Sequence, residues 1–484
     1  MIFNSLQYAL FLPLVVILYF ILPQKARWVF LLAVSYYFYM CWNAKYAILL
    51  MLSTIVAYFA ARFIHRAQDK RMKVFYIVSG LVINLGILFV FKYFNFFNET
   101  IADIARLTGF QYQPSKLSLL LPVGISFYTF QALGYVIDVY KGKAEPMKHF
   151  GKFALFVSFF PQIAAGPIGR IESLRPQFEL HQKLDFDRVR SGLLQIGLGL
   201  FKKLVIADRL AVLVNAVYDK PGAHSGMSFA LASVFFSFQI YCDFSGYSDI
   251  AIGSAKLLGI NLMENFRRPY LATTVAGFWK RWHISLTSWF KDYLYIPLGG
   301  NRKRHLPNIL IVFLVSGLWH GASLTFVIWG LLNGLYQVAG IITKPFTDKL
   351  KTLLRITGTS MTYGFLKGIE NFALITFAWI FFRANSVGDL GLILSKLFTW
   401  NMSFFSNFNT VSLGMERIDL VVSVLLITVL IVFELVQERV SIGAFLKKEP
   451  LVFRWAAYLA VIAIILIFGV YGDANSTQFI YFKF

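Results

Sequence analysis

Charge is what this chain lacks. Only 14% of its 484 residues are Asp, Glu, Lys or Arg, where a soluble domain carries about a quarter. Acidic residues are scarcest: 24 against 46 Lys and Arg, for a formal net charge of +22. Cysteine is limited to Cys41 and Cys242, each in apolar surroundings. Two isolated thiols offer no metal-ligand spacing, so no metal site and no disulfide is expected. No Gly-rich loop of the P-loop or dinucleotide type stands out, which argues against ATP-driven transport within this one chain. The first apolar run, Leu6 to Leu22, lacks the basic n-region and cleavage site of a signal peptide, so it reads as a retained helix.

Hydrophobic residues fill the space, at 58% of the chain. Apolar runs of about 18 residues or more recur along it. A backbone in lipid must satisfy its own hydrogen bonds, so helices are the expected spanning element. The expectation is an all-α, polytopic membrane protein with a single integral-membrane domain over residues 1–484. Expected spans are 5–23, 27–43, 46–64, 75–95, 118–139, 149–165, 191–217, 227–243, 307–320, 324–342, 365–383, 419–436 and 453–471. The basic turns are His65 to Lys73, Lys141 to Lys148, Asn301 to His305, Lys344 to Arg355 and Lys447 to Arg454. Setting all five inside puts both termini outside. Re-entrant helices are expected between Phe150 and Arg302. The excess positive charge is read as positive-inside bias plus contact with anionic membrane lipids, not as nucleic-acid binding.

One stretch, Asn265 to Gly321, concentrates cations, aromatics and two histidines. Pro307 suits the first turn of a helix. His320 follows it by 13 residues, or about 20 Å of helix rise, in a hydrocarbon core about 30 Å thick. An ionisable group at that depth points to function, the alternative being a histidine satisfied within a bundle core. Gly317 and Gly321 beside it allow close approach of a backbone or ligand. His283 lies in a basic, Trp-rich segment with two open readings. Its cations bind an anionic substrate, or it is an interfacial helix with Trp279, Trp282 and Trp289 in an aromatic belt. Asp243 and Asp249 lie in an apolar run, six residues apart, with Gly246 between them suggesting a helix break. Paired structural carboxylates are the favoured reading and a proton relay the alternative. The Phe479 to Phe484 end reads by composition as an aromatic belt.

Several motifs resemble those of the membrane-bound O-acyltransferase family. They are Ser126-Phe127-Tyr128-Thr129-Phe130, Asp243 to Asp249, Trp279 to Leu286, Asp292 to Gly300 and Gly317-Leu318-Trp319-His320-Gly321. The nearest branch looks like the alginate, peptidoglycan and exopolysaccharide O-acetyltransferases, with the D-alanyl transferases of teichoic acids as cousins. The resemblance implies a ring of transmembrane and re-entrant helices around a central funnel. It implies His320 as the essential histidine and His283 as a second polar position. Acetyl-CoA would be the cytoplasmic donor substrate, with no permanently bound cofactor, and Lys280, Arg281, Arg302 and Lys303 are candidate contacts for its phosphates. Phe479 to Phe484 also fits an F-x-Y-x-x-F tail whose tyrosine, here Tyr481, is proposed to carry the acyl group. Residues 472–484 would then be an extracytoplasmic relay tail. The partner would be an extracytoplasmic SGNH/GDSL-type acetyltransferase with a Ser-His-Asp site, acting on a glycan. The location would be a bacterial cytoplasmic membrane. A polysaccharide or lipid-linked sugar transporter, a D-alanyl transferase to teichoic acid, or a docking subunit without chemistry, are the competing readings; inverted repeats would support the transporter, and none stands out.

Overall fold

A computed structural model describes residues 1–355, 360–399, 413–471 and 479–480. Among the described residues every regular element is helical. Seven helical runs among the described residues are long and apolar enough to cross a membrane: Gln24–Arg66, Lys70–Leu107, Gly226–Leu257, Leu324–Leu353, Met361–Arg383, Arg417–Gln437 and Leu451–Phe468. Val421, Val424, Leu425 and Val432 stand exposed on one of them, and Leu459, Ile462 and Leu466 on another. Apolar faces this continuous are stable only against lipid. The protein is multi-pass.

The chain forms two compact units, Met1–Ile196 with Ile250–Met263, and Gly197–Asp249 with Glu264–Phe484. In the first, helix Ala47–Arg66 meets helices Lys70–Leu88 and Ile125–Tyr140 through small residues. A Cβ on Gly80 would lie 2.9 Å from Ala60 and 3.8 Å from Val136. Small-residue contacts replace the hydrophobic drive that lipid removes.

Two expected spans in this unit are corrected. The run 118–139 becomes helical only at Ile125. Gly124 stands before it at φ 74, and a Cβ there would fall 2.2 Å from the Ile163 carbonyl oxygen. The run 149–165 is helical only over Phe150–Ser158. Pro161 disfavours helix at Phe160, and Gln162 Nε2 donates to the Pro167 carbonyl at 2.7 Å, bracing the buried turn that follows. Non-helical backbone at such a place is tolerated because protein covers it.

The second unit carries the histidines. Helix His305–His320 crosses helix Leu324–Leu353 glycine on glycine. A Cβ on Gly317 would lie 2.3 Å from the Phe326 carbonyl oxygen, and one on Gly330 would lie 2.3 Å from that of Phe313. Both of the glycines first noted beside His320 are therefore used, Gly317 for a backbone and Gly321 for the Phe326 ring, 2.2 Å from its would-be Cβ.

Helix Gly226–Leu257 is unbroken through Asp243, Gly246 and Asp249, against the break expected there. Gly246 is instead a crossing point. A Cβ on it would lie 2.7 Å from the Gly199 carbonyl oxygen and 3.4 Å from Lys203 N. Residues 186–218 are continuously helical, widened to π geometry over Phe201–Ala207. The close crossing brings Lys202 and Lys203 of that wide turn against Asp249 and Asp243. π-turns of this kind recur at functional sites.

Candidate active site

His320 ends its helix, and Gly321 follows in extended conformation. The turn is tight because Ser323 caps the next helix, accepting from Thr325 N. His320 is 4% exposed. Its ring lies 4.9 Å from Trp319, 5.0 Å from Trp329 and 5.5 Å from Phe382, each edge-to-face. Trp329 stacks on Trp379 at 5.6 Å, and Trp379 packs on Trp282 at 5.0 Å. The histidine thus sits in a wall of large rings. Such a wall excludes water and leaves the imidazole few ways to rotate.

His283 reaches the same place from the Trp-rich segment. The ring centroids of His283 and His320 are 6.4 Å apart, and Trp319 lies 5.9 Å from His283. His283 is 1% exposed, and Trp279, Trp282 and Trp289 are buried with it. This corrects the aromatic-belt reading: those tryptophans build a protein core, not a membrane interface. The segment is not one amphipathic helix either. It is two short helices, Val275–Trp279 and Ile284–Phe290, separated by a turn in which His283 has φ 45. A non-glycine residue in that left-handed region costs roughly 1–3 kcal/mol and persists only where its surroundings over-determine it.

The over-determination comes from Asn265, which is fully buried. Residues 265–267 run against 281–284: Arg267 N donates to the Arg281 carbonyl at 2.8 Å, and Ile284 N to the Asn265 carbonyl at 2.9 Å. Asn265 Oδ1 then faces three groups, Ser285 N at 3.2 Å, Ser285 Oγ at 2.9 Å and His283 Nδ1 at 3.2 Å. Asn265 Nδ2 donates to Ser248 Oγ at 3.1 Å. A backbone N–H is always a donor, so Ser285 N identifies the amide oxygen. His283 Nδ1 must therefore donate to it, which places the proton on Nδ1 and the basic lone pair on Nε2. Sequence reasoning missed Asn265, although it opened the stretch singled out above.

The reading of the two carboxylates as paired groups is met, with lysines as partners. Lys203 Nζ lies 2.7 Å from Asp243 Oδ1 and 2.8 Å from Asp208 Oδ1, and Lys202 Nζ 2.8 Å from Asp249 Oδ2. Lys202, Lys203 and Asp208 were also missed. Two lysines inside an apolar helical run were the available signal. Phe244, next to Asp243, packs its ring 4.7 Å from His283.

Of the four cations put forward as phosphate contacts, Lys280, Arg302 and Lys303 are exposed. Arg302 and Lys303 lie in the turn before the His320 helix, where Asn308 Nδ2 ties down the Gly300 and Lys303 carbonyls at 2.9 and 2.7 Å. Arg281 is engaged elsewhere: its Nη1 lies 2.6 Å from Glu438 Oε1, which Arg268 also approaches at 3.1 Å. Burial of Glu438 disfavours its charge, but the two guanidiniums outweigh it and hold the carboxyl below its ordinary range. Tyr481 lies outside the described residues. Phe479 and Ile480, just before it, are buried in the second unit.

Paired imidazoles in a dry aromatic wall, one with its tautomer set, suit proton transfer to and from a hydroxyl. The profile of the membrane-bound O-acyltransferase family (MBOAT) matches residues 146–383, which include Lys203, Asp243, Asn265, His283 and His320. A peptidoglycan O-acetyltransferase of Helicobacter pylori is 38% identical over 412 residues, 78% of this chain and 76% of that protein. A probable alginate O-acetylase of Pseudomonas aeruginosa is 35% identical over 434 residues, 88% of this chain and 81% of that protein. A teichoic acid D-alanyltransferase of Bacillus subtilis is 26% identical over 250 residues, 49% of this chain and 63% of that protein. The chain belongs to the membrane-bound O-acyltransferase family.

Proposed function

We propose that this membrane O-acetyltransferase takes acetyl from cytoplasmic acetyl-CoA and delivers it, through Tyr481, toward a glycan outside a bacterial cytoplasmic membrane. The observation that carries the chemistry is the buried His283–His320 pair, 6.4 Å between ring centroids, with His283 oriented by Asn265. His320 acts as general base. It takes the phenol proton as the Tyr481 oxygen attacks the thioester carbonyl. The C–S bond then breaks, the thiolate of CoA takes the proton back, and an acetyl-tyrosine ester remains. A phenol, with a reference pKa of about 10, is far easier to deprotonate than an alkyl alcohol. Its ester is also the more reactive one, so transfer onward to a sugar hydroxyl runs downhill without ATP.

Three further observations support this reading. Arg302 and Lys303 stand exposed at the opposite end of the helix from His320, about 20 Å away by helix rise, where they suit the phosphates of CoA. Ile480, the residue before Tyr481, is buried in the hydrophobic cluster that contains Trp282 and Trp329. The names of the two more similar relatives favour a polymer hydroxyl as final acceptor. The second transfer falls to an extracytoplasmic SGNH/GDSL-type partner with a Ser-His-Asp site. Membership of an acyltransferase family favours this scheme over a sugar transporter.

The test is transfer of labelled acetyl from acetyl-CoA to the purified chain, and glycan acetylation in cells. His320→Ala should abolish both while the protein still inserts. Tyr481→Phe should abolish label on the chain and acetyl on the glycan. Normal acetylation in Tyr481→Phe removes the relay but leaves the enzyme; normal acetylation in His320→Ala removes both.

A further inference from the structure

The Phe479–Ile480 dipeptide is held by groups the acyl-transfer step does not use. Ile480 N donates to Asp243 Oδ2 at 2.7 Å. The other oxygen of that carboxylate meets Lys203 Nζ, which also reaches Asp208. The Asp243 carboxylate is thus shared between the Lys203 ammonium and the Ile480 amide. The positive end of the Ile480 amide is drawn to it. Phe479 adds recognition by shape: Lys203 Nζ lies 4.5 Å from its ring centroid, and Tyr247 meets it edge-on at 4.9 Å. Lys203 is 1% exposed, so its charge is tolerated only because it is paired.

Asp243, Phe244 and Tyr247 lie within one turn of the same helix. Asp243 and Tyr247, four apart, share the face that holds Phe479 and Ile480. Phe244 turns to His283. The carboxylate that grips the Ile480 backbone is therefore one residue from the ring that packs on a site histidine. Apolar contacts are non-directional, so a segment held by them alone can slip in register. A charge-assisted hydrogen bond to one backbone amide pins its register.

We propose that Asp243, itself set by Lys203, is a positioning residue. It clasps the Phe479–Ile480 backbone and so sets the register of the segment that leads to the acceptor, Tyr481. The consequence for catalysis rests on Tyr481 as acyl acceptor; the clasp itself does not. The hold is on the Ile480 backbone amide, so it calls on no side chain of the acceptor.

The full chain in detergent tests this, with Ile480→Cys in a Cys41→Ser background and a bulky maleimide as probe. Label on the same chain without Ile480→Cys corrects for Cys242. Alkylation at position 480 should be slow. Asp243→Asn should speed it by about tenfold, the difference between a hydrogen bond to a charged acceptor and one to a neutral amide. The same substitution in the native background should slow acetyl transfer onto the chain without raising KM for acetyl-CoA. Phe479→Ala leaves the Lys203 pairing intact and should also speed alkylation, which covers the case in which Asp243→Asn does not fold. Tyr481→Phe should leave alkylation slow while abolishing transfer. If transfer persists in Tyr481→Phe, the relay reading fails and the clasp stands on the alkylation data. Rapid alkylation of the parent overturns the clasp. So does an unchanged rate in folded Asp243→Asn or, where that variant does not fold, in Phe479→Ala.

Discussion

Replacing Asn265 with leucine separates packing from chemistry at the histidine site. The substitution keeps the branched shape, at a larger volume, and removes four hydrogen bonds: Nδ2 to Ser248 Oγ, and those that Oδ1 accepts from Ser285 N, Ser285 Oγ and His283 Nδ1. At a net 0.5–1.5 kcal/mol each, these amount to roughly 2–6 kcal/mol. The buried apolar side chain returns part of that, so the loss of stability should be roughly 1–4 kcal/mol and the protein should still insert. The rate should suffer more than the fold. Without the amide oxygen the Nδ1–H tautomer loses the acceptor that favours it, and the His283 ring loses that restraint on its orientation. Orientation and proton transfer together account for large factors, so kcat for acetyl transfer should fall between about tenfold and a few hundredfold. Asn265→Asp supplies the control. It keeps an acceptor for Ser285 and His283, and its negative charge raises the pKa of the imidazole. A His283 whose pKa rises stays protonated to higher pH, and a cation beside His320 disfavours its taking a proton, so the acid limb of the rate profile should move up in pH. The assays are melting in detergent and initial rates from labelled acetyl-CoA across pH. A destabilised Asn265→Leu with wild-type kcat, together with an unshifted profile in Asn265→Asp, would refute the orienting role.

Other perturbations follow from the same contacts. Gly330→Ala sets a methyl 2.3 Å from the Phe313 carbonyl oxygen and 3.1 Å from Gly317 Cα. It should cost about 1–3 kcal/mol as overpacking and lower kcat by displacing the His320 helix, both readable from melting and initial rates. Neutralising Lys280, Arg302 and Lys303 together should raise KM for acetyl-CoA with kcat little changed. The effect should shrink as salt is added, because these side chains are exposed. Arg281→Gln should instead act on stability, through the loss of its ion pair with Glu438, and should leave the salt dependence of KM near that of the parent.

Local signals carried a good part of this protein. Scarce charge and recurring apolar runs determined a helical, multi-pass protein, because burial in lipid depends on composition over a window of about 20 residues. The stretch from Pro307 determined where His320 falls, because helix rise is regular. Family motifs, being contiguous, were legible for the same reason. Single-chain patterns failed where the partner was remote. Gly246 looked like a break, since glycine disfavours helix interiors, but it admits the Gly199 backbone. Trp279, Trp282 and Trp289 had the spacing of an interfacial belt, and only the left-handed turn at His283 and the packing of Trp329 and Trp379 decided that they are core. The pairings of His283 with Asn265 and of Lys203 with Asp243 join residues 18 and 40 positions apart. The hold of Asp243 on Ile480 spans 237. Hydrogen bonds and ion pairs act over a few ångströms, so which distant residues share them is a property of the folded chain. The sequence by itself singled out the two histidines; the tertiary structure decided that their rings come together, what orients His283, and that Asp243 holds the Ile480 amide.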